Sequence, residues 1–392
     1  MSNRKIKIAL LLGAGISLPS GRPSTDEITE RILSGENVLR TEDEIYRLNS
    51  PPDFYRGESD EYIPRILAFL KRIKTEIDGY YSIRRRKHKT NYEDLYYVAG
   101  QLYDNETGEY DNPAVQALRD KIMLDPDIQS LLVGWKDHIY LFYEAVNYIS
   151  DVACGMFPGD PSGLSHFGFI EDVCKDGDIS NVDIFTLNHD KDLESYLRKK
   201  GVHFVDGFEE IQDEAFFRWN ADLFDYGGSK IRFFKLHGSI NWFWFRRDMK
   251  SAYSVLIPKG GFWNKNPFFS DRPIILLGTF NKMLDYLGGI FIELYGQFHN
   301  SLKITENLIV CGYGFRDKGI NQEIVNWVNS STNNMMIIVE PNPDNIRNTA
   351  RRAISNRIDE WENERRVCII PNGIESASWN DIKSIVTNGG RK

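Results

Sequence analysis

The sequence predicts an α/β protein with a Rossmann-like, doubly wound and mostly parallel sheet and an inserted helical module. Short, continuous apolar runs such as Ile6–Leu12 are typical of strands that helices cover on both faces. Segments with helical spacing lie between several of these runs, and strands that alternate with helices indicate a parallel sheet.

The first forty residues are predicted to form a strand, a turn and a helix. The strand at Ile6–Leu12 is followed by Gly13 and Gly15, which mark the turn. A helix is expected over residues 26–33, with Ser24 or Thr25 as its N-cap.

The pattern changes between about residue 36 and residue 160. Apolar residues recur at helical spacing over 62–73, a long helix is expected over 131–156, and the polar run 104–112 is interpreted as a loop. This stretch predicts a helical module at 31–160, inserted into an α/β domain formed by 1–30 and 161–392.

Strand and helix patterns alternate again after residue 163. The run Trp-Phe-Trp-Phe at 242–245 is expected to be a buried strand of the core. Further strands are expected at 182–185, 231–236, 273–277, 308–311, 336–339 and 367–370, with helices at 192–200, 284–300 and 321–330.

Composition limits the classes of function. The 392 residues carry a formal net charge of -8, which argues against a protein whose entire surface binds nucleic acid. The run 84–89 nevertheless carries five positive charges, and it is either a solvated face or a contact with a partner protein or nucleic acid. No apolar stretch is long enough to span a membrane and the first residues lack a signal-peptide core, so we expect a cytoplasmic protein.

The four cysteines predict no zinc site. Structural zinc sites draw their ligands from close pairs, and no two of these cysteines lie within four residues of each other. We expect reduced thiols that pack as small apolar side chains.

A glycine turn follows the first strand. Two glycines in Gly13-Ala14-Gly15-Ile16-Ser17 allow the backbone to approach a pyrophosphate and to present N–H groups to it. The same pattern also closes ordinary strand–helix turns, and the Ser17 hydroxyl has a local turn hydrogen bond as its alternative role.

Polar residues follow two later strands. Asn188 and Asp190 are two positions apart, so both can point to the same side of the chain and hold a ribose diol, an amide ligand or a water; the alternative is a turn that caps the helix at Asp192. His237 ends the next strand, and histidine is the side chain best suited to proton transfer near neutral pH. An isolated histidine at a strand end can instead be structural, but the place of His237 within the set of motifs favours catalysis.

A second glycine turn, at 312–317, follows the strand at 308–311 and is a candidate to wrap an adenosine through Gly312 and Gly314. Glu340 ends the strand at 336–339, where an acidic residue would accept from a ribose 2′-hydroxyl and repel a 2′-phosphate. This favours NAD over NADP, and an exposed glutamate before a turn is the equal alternative.

Four motifs in this order resemble the SIR2 (sirtuin) superfamily. They are Gly-Ala-Gly-x-Ser, Gly-x-Pro, Thr-x-Asn-x-Asp and Leu-His-Gly-Ser, and the match runs from Lys5 to about Pro343. The resemblance implies that NAD binds with Asn188 beside the nicotinamide ribose, Asp190 beside the carboxamide and His237 as catalytic base. It further implies that the phosphates and the rest of the pocket are contacted by Gly13, Ala14, Gly15, Ser17, Pro23, Gly312 and Gly314.

Two departures indicate a branch of this superfamily. Deacylating sirtuins carry a four-cysteine zinc ribbon and an Asp-Phe-Arg after Gly-x-Pro, whereas this chain has Ser24-Thr25-Asp26 there. The chain is more similar to SIR2-like NADases of bacterial anti-phage defence. That likeness implies a homo-oligomer gated by a HerA-type ATPase, since no sizeable sensor domain follows the last strand. The alternatives are a zinc-free deacylase or ADP-ribosyltransferase, and an NAD-binding sensor without turnover.

Overall fold

The structure is a computed structural model. It describes residues 6–48, 59–83, 89–109, 112–134, 138–157, 159, 161, 163–212, 215–226, 228–246, 253–259, 270, 272–278 and 286–388. Most of the basic run, 84–88, therefore lies outside the described residues.

The strands and helices are numbered here in chain order. The strands are β1 (Ile6–Leu12), β2 (Val38–Arg40), β3 (Tyr46–Leu48), β4 (Ile179–Thr186), β5 (Phe208–Glu210), β6 (Phe216–Trp219), β7 (Ile231–Lys235), β8 (Phe243–Phe245), β9 (Ser254–Pro258), β10 (Asn307–Cys311), β11 (Met335–Val339) and β12 (Val367–Ile370). The helices are α1 (Thr25–Ser34), α2 (Ser59–Ile83), α3 (Tyr92–Thr107), α4 (Pro113–Met123), α5 (Pro126–Leu131), α6 (His138–Gly155), α7 (Gly168–Lys175), α8 (Asp192–Lys199), α9 (Leu223–Tyr226), α10 (Gly289–Ile304), α11 (Lys318–Ser330), α12 (Pro343–Thr349), α13 (Arg352–Ser355), α14 (Ile358–Asn363) and α15 (Trp379–Asn388).

The chain forms two compact units. The first comprises the described residues within Met1–Arg22, Gly159–Leu276 and Lys282–Lys392. The second comprises those within Pro23–Pro158 and Leu277–Asn281.

The first unit is built on a six-stranded sheet in the order β12-β11-β10-β1-β4-β7, and every pairing in it is parallel. Counted along the chain, these six strands follow the 3-2-1-4-5-6 order of a doubly wound sheet. The order reverses between β1 and β10, so the ligand crevice of such a sheet is expected beyond their carboxyl ends. The predicted fold class is confirmed.

Burial explains the continuous apolar run of β1. Alternate residues point to opposite faces of the sheet, and both faces are covered. Ala9 and Leu11 pack in one hydrophobic cluster, while Ile8, Leu10 and Leu12 pack in the other. All five are fully buried.

A second, antiparallel sheet in the same unit was not predicted. Its order is β5-β6-β9-β8. The last three residues of the run 242–245 form a strand, β8, but this strand belongs to the small sheet, and Trp244 and Phe245 are only half-buried. The strand expected at 273–277 is wrong, because this segment forms an isolated antiparallel bridge between Ile275 and Gly238 and no strand.

The second unit contains α1 to α6 and the hairpin β2–β3. The hairpin was not predicted, and a buried network in which Arg40 and Tyr46 both bond Glu144 ties it to α6. The predicted loop at 104–112 is wrong in its first part, because α3 continues to Thr107, and the long helix begins at His138 rather than at residue 131.

Candidate functional site

The carboxyl ends of β1, β4 and β7 lie side by side. The register pairs Leu12 with Thr186 and Thr186 with Lys235, and backbone bonds continue this pairing for one residue into the following loops. The three loops that carry the predicted site residues are therefore neighbours along one edge of the sheet.

The two glycine turns pack against each other at the switch point. Gly13 N donates to Cys311 O and Gly15 N donates to Gly312 O, each at 3.0 Å. A Cβ atom on Gly13 would lie 2.6 Å from Gly312 O, and one on Gly15 would lie 2.8 Å from Gly312 Cα. The two turns can approach each other this closely only because all three residues are glycine. These glycines would therefore be needed for packing even if no phosphate were bound. Ala14 and Gly314 are exposed beside them.

Ser17 joins Asn188 and Asp190 in one buried network. The Ser17 hydroxyl accepts from Asn188 Nδ2 at 2.9 Å and donates to Asp190 Oδ2 at 2.8 Å. The other carboxylate oxygen of Asp190 accepts at 3.0 Å from the backbone N–H of Asp192, the first residue of α8. The three predicted residues thus lie together, and Asp190 also contacts the start of α8, whose N-cap position is Lys191.

Asn188 presents a buried acceptor. Its amide nitrogen is committed to Ser17, so the amide orientation is fixed, and its oxygen Oδ1 has no hydrogen-bond partner within the described part of the chain. Asn188 is buried, with only 7% of its surface exposed. A buried polar atom without a partner costs about 1–3 kcal/mol, so it marks a place where a ligand or a water donates.

Charged side chains surround Asp190. The Lys235 ammonium donates to the Asp190 carbonyl and lies 3.2 Å from Glu194 Oε1, while Arg22 forms a two-point pair with Asp192 at 2.6 and 2.8 Å. Burial raises the pKa of Asp190, and the charge of Lys235 opposes that rise. Burial likewise raises the pKa of Glu194.

Asp190→Asn is expected to change how stability depends on pH. Because the folded-state pKa of Asp190 is raised, its stabilising contribution is complete below the ordinary value near 3.8 and is lost as the pH rises through the folded-state pKa. Asparagine does not titrate. The free energy of unfolding of the variant, relative to that of the wild type, should therefore increase as the pH is raised from about 4 to about 7. Urea unfolding at both pH values measures this gain, and an unchanged difference contradicts it.

His237 lies in a buried cluster with two residues that the sequence did not single out. Its Nε2 is 2.7 Å from Tyr286 Oη and 3.2 Å from Asp317 Oδ2, and Tyr286 donates to Asp317 at 2.9 Å. Tyr286 gave no local signal. Asp317 ends the second glycine turn as the N-cap of α11, and that capping position was its only signal.

Backbone bonds join the His237 turn to its neighbours. Ile240 N donates to the carbonyl of His189 at 3.1 Å, and Leu276 N donates to the carbonyl of His237 at 2.9 Å. Gly238 has a φ of 77°, and a Cβ there would collide with the Ile274 carbonyl.

Gly238→Ala is therefore expected to destabilise the protein by about 3 kcal/mol, from backbone strain and displacement of the neighbouring segment. Gly296→Ala is the matched control, because Gly296 lies inside α10 with nothing within 4 Å of the added methyl group. It should stabilise the helix by up to about 1 kcal/mol. Denaturant unfolding of both variants measures the two changes in the free energy of unfolding. A Gly238→Ala variant as stable as the wild type contradicts the prediction.

Two further predicted residues are Glu340, which follows β11, and Pro23. Glu340 is half-buried at the end of β11, where its carboxylate accepts from Asn342 N at 3.1 Å and Asn345 Nδ2 at 3.3 Å. It thus contacts the turn before α12, and its expected role beside a ribose stays a prediction. Pro23 is in the second unit and directly precedes Ser24, which caps α1 with a capping box.

Among the described residues, no group of three or more His, Cys, Asp or Glu side chains is arranged to hold a metal ion. All four cysteines are free, and burial raises the thiol pKa of Cys174 and of Cys311 to about 12. No helix in the described part of the chain combines the length and the apolar character that crossing a membrane requires.

No protein-family model matches the chain, and no curated protein matches it. Among solved structures, a SIR2 complex with an inhibitor, 2′-O-acetyl-ADP-ribose and a deacetylated p53 peptide is similar over 98% of this chain and 95% of that chain, with 10% identity and a TM-score of 0.33. Two complexes of a Sir2 homologue with ADP-ribose, one a serine-to-alanine and one a histidine-to-asparagine variant, cover 93% of each chain with 12% identity and a TM-score of 0.30. The identities and the TM-scores are both low, so these similarities do not establish a function.

Proposed function

We propose that the protein is an NAD glycohydrolase, which uses water to cleave the bond between nicotinamide and its ribose. The products are nicotinamide, ADP-ribose and one proton. The observation that carries the proposal is the fixed amide of Asn188, whose buried oxygen lacks a hydrogen donor within the described residues.

The polarity of this oxygen selects the part of NAD that would lie there. An amide oxygen only accepts, so it pairs with a ribose hydroxyl or a carboxamide N–H₂ and not with a phosphate, which also accepts. The adjacent Asp190 carboxylate disfavours phosphate further. This supports placing the nicotinamide riboside beside Asn188 and Asp190, with the diphosphate nearer the exposed backbone at Ala14 and Gly314.

Cleavage requires stabilisation of positive charge on the ribose. Nicotinamide leaves as a neutral ring, so an oxocarbenium ion develops at the ribose carbon that it leaves. Asp190 supplies negative charge near that carbon, and Asn188 holds a ribose hydroxyl. His237 accepts the proton of the attacking water, which is worth about 10²–10⁴-fold in rate.

The likeness of the four motifs to SIR2-like defence proteins supports a proposed cellular role. An unrestrained NADase would deplete its own cell, so we propose that assembly gates it, as a homo-oligomer with a HerA-type ATPase partner in anti-phage defence. The second unit contains most of the predicted helical insert, and we propose that the ATPase partner binds to its surface.

The test is incubation of the purified chain with NAD, alone and with the ATPase partner, followed by quantification of nicotinamide and ADP-ribose. Release without any acceptor supports the glycohydrolase. Release only in the presence of an acylated or acceptor protein identifies a deacylase or ADP-ribosyltransferase instead. Saturable NAD binding without release identifies a sensor, and either result overturns the proposal.

A further inference from the structure

Lys235 is a buried cation at the carboxyl end of β7. Only 4% of its surface is exposed, and Phe233 and Phe234 of the same strand are buried apolar residues. Its ammonium donates to the backbone carbonyl of Asp190 and lies 3.2 and 3.4 Å from the two carboxylate oxygens of Glu194. A lysine buried to this extent must be paired, because an isolated ammonium in the protein interior is costly.

Stability alone gives little reason for this ion pair. The cost of removing two charges from water is about as large as the attraction between them, so a buried pair can often be replaced by apolar side chains without loss. Leu193, Leu197 and Phe233, which lie beside the pair on α8 and β7, belong to one hydrophobic cluster. The presence of a charged pair at this position therefore points to a role in the neighbouring site.

Asp190 is held from three directions. Ser17 Oγ donates to one of its carboxylate oxygens, the backbone N–H of Asp192 donates to the other, and Lys235 donates to its carbonyl. The first two bonds orient the carboxylate, whereas Lys235 fixes the backbone and adds a positive charge. Glu194 contacts that ammonium from the first turn of α8, so the helix start determines where the positive charge lies.

We infer that Lys235 and Glu194 are positioning residues for Asp190: Glu194 orients the Lys235 ammonium, and the ammonium keeps the Asp190 carboxylate charged beside the ribose. This rests on the proposed function, in which that negative charge stabilises the oxocarbenium ion. Lys235 and Glu194 act on the reaction only through Asp190.

The electrostatics of the site support this role. Burial raises the pKa of Asp190, the charge of Lys235 opposes that rise, and the charge of Asp192 adds to it. Burial also raises the pKa of Glu194, with the same opposition from Lys235 and a further rise from Asp190. Lys235 is thus shared by two carboxyl groups that repel each other. Further charged or titratable groups around them, all unchanged in the variants below, are Asp192, its partner Arg22, His189 and His237.

Two substitutions should displace the titration of Asp190 in opposite directions. Lys235→Met keeps the length of the side chain and removes its charge, so the midpoint should rise by about one pH unit. Glu194→Gln keeps an oxygen that accepts from Lys235 and removes the competing negative charge, so the midpoint should fall by about one pH unit. In the double variant the two effects should largely cancel.

The first readout is independent of activity. The ¹³C spectrum of protein labelled in the aspartate carboxyl groups follows each titration, and the Asp190 signal is the one missing from Asp190→Asn. From low to high pH, we expect the midpoints in the order Glu194→Gln, wild type, Lys235→Met, with the double variant near the wild type. Midpoints that stay in place, or that move in the same direction in both single variants, overturn the inference.

The second readout is the pH dependence of kcat for nicotinamide release. Relative to the wild type, Lys235→Met should lose up to about tenfold at acid pH, and the loss should shrink as Asp190 ionises at higher pH. Glu194→Gln should show a gain at acid pH that disappears at higher pH. A purely structural pair predicts the same loss at every pH, and that result overturns the inference. A wild type whose Asp190 midpoints shift as expected, but which releases no nicotinamide, refutes the proposed function instead.

Lys230→Met is the matched control. Lys230 directly precedes β7, at the opposite end of the strand from Lys235, and its ammonium also donates to backbone carbonyls, those of Cys174 at 2.9 Å and Asp176 at 2.6 Å. Its substitution should leave the Asp190 midpoint and the pH dependence of kcat unchanged.

Melting curves establish which variants are folded. Lys235→Met leaves two buried carboxyl groups without their shared cation, whereas the double variant removes both members of the ion pair. If Lys235→Met alone does not fold, the comparison of the double variant with Glu194→Gln measures the effect of Lys235. The Asp190 midpoint should then be about one pH unit higher in the double variant, and equal midpoints overturn the inference.

Discussion

His237→Gln is expected to reduce nicotinamide release by about 10²–10⁴-fold, the usual contribution of a general base. The glutamine amide nitrogen replaces Nε2 and can still donate to Tyr286, so the buried cluster keeps its hydrogen bond. What the variant lacks is a nitrogen that takes a proton. The loss should therefore appear in kcat, with NAD affinity largely retained.

Steady-state kinetics with quantified nicotinamide, together with a direct measurement of NAD binding, checks this expectation. His203→Gln is the control, because His203 is an exposed histidine of the same unit. It should match the wild type in both measurements. His237→Ala should lose activity to the same extent but with some loss of stability. His237 is only 4% exposed, so alanine leaves a buried cavity in its place. Full NADase activity in a folded His237→Gln protein would exclude His237 as the base.

The strands of the large sheet could be predicted because their burial leaves a signal in the local sequence. A strand covered on both faces is apolar at every position, and β1 was located to the residue at Ile6–Leu12. The small sheet lacks that signal. Its strands have three to five residues, and β5 at Phe208–Glu210 is half-buried or exposed throughout, so neither a continuous run nor a clear alternation marks it.

The site was predictable only where its residues directly follow strands. Asn188 and His237 follow neighbouring parallel strands, and strand order brings them to one edge of the sheet. Tyr286 lies 49 residues from His237 and outside any motif, so only the tertiary fold brings the two together. The glycines illustrate the opposite case. Their pattern was recognised, but the structure gives Gly13 and Gly312 a packing role that no phosphate is needed to explain.

Asn188→Ala is expected to lower kcat/KM for NAD cleavage by about 10²–10³-fold, comparable to the loss of one preorganised hydrogen-bonding group in other active sites. The substitution removes the buried acceptor of the amide that Ser17 holds in place, and it leaves the ribose hydroxyl that would donate to it without a partner. It also frees the Ser17 hydroxyl from Asn188 Nδ2 while its bond to Asp190 remains, so the carboxylate should keep its position.

Asn181→Ala separates this effect from a general weakening of β4. Asn181 lies near the opposite end of the same strand, where its amide donates to Asp183 at 2.7 Å, far along the strand from Asn188. Removing that amide should cost stability of about 1 kcal/mol and leave kcat/KM unchanged. Because the wild-type Oδ1 of Asn188 is buried and no described residue donates to it, Asn188→Ala should cost little or no stability in the absence of NAD. A variant that is destabilised but still cleaves NAD would assign Asn188 to the scaffold, whereas a stable and inactive one assigns it to the substrate.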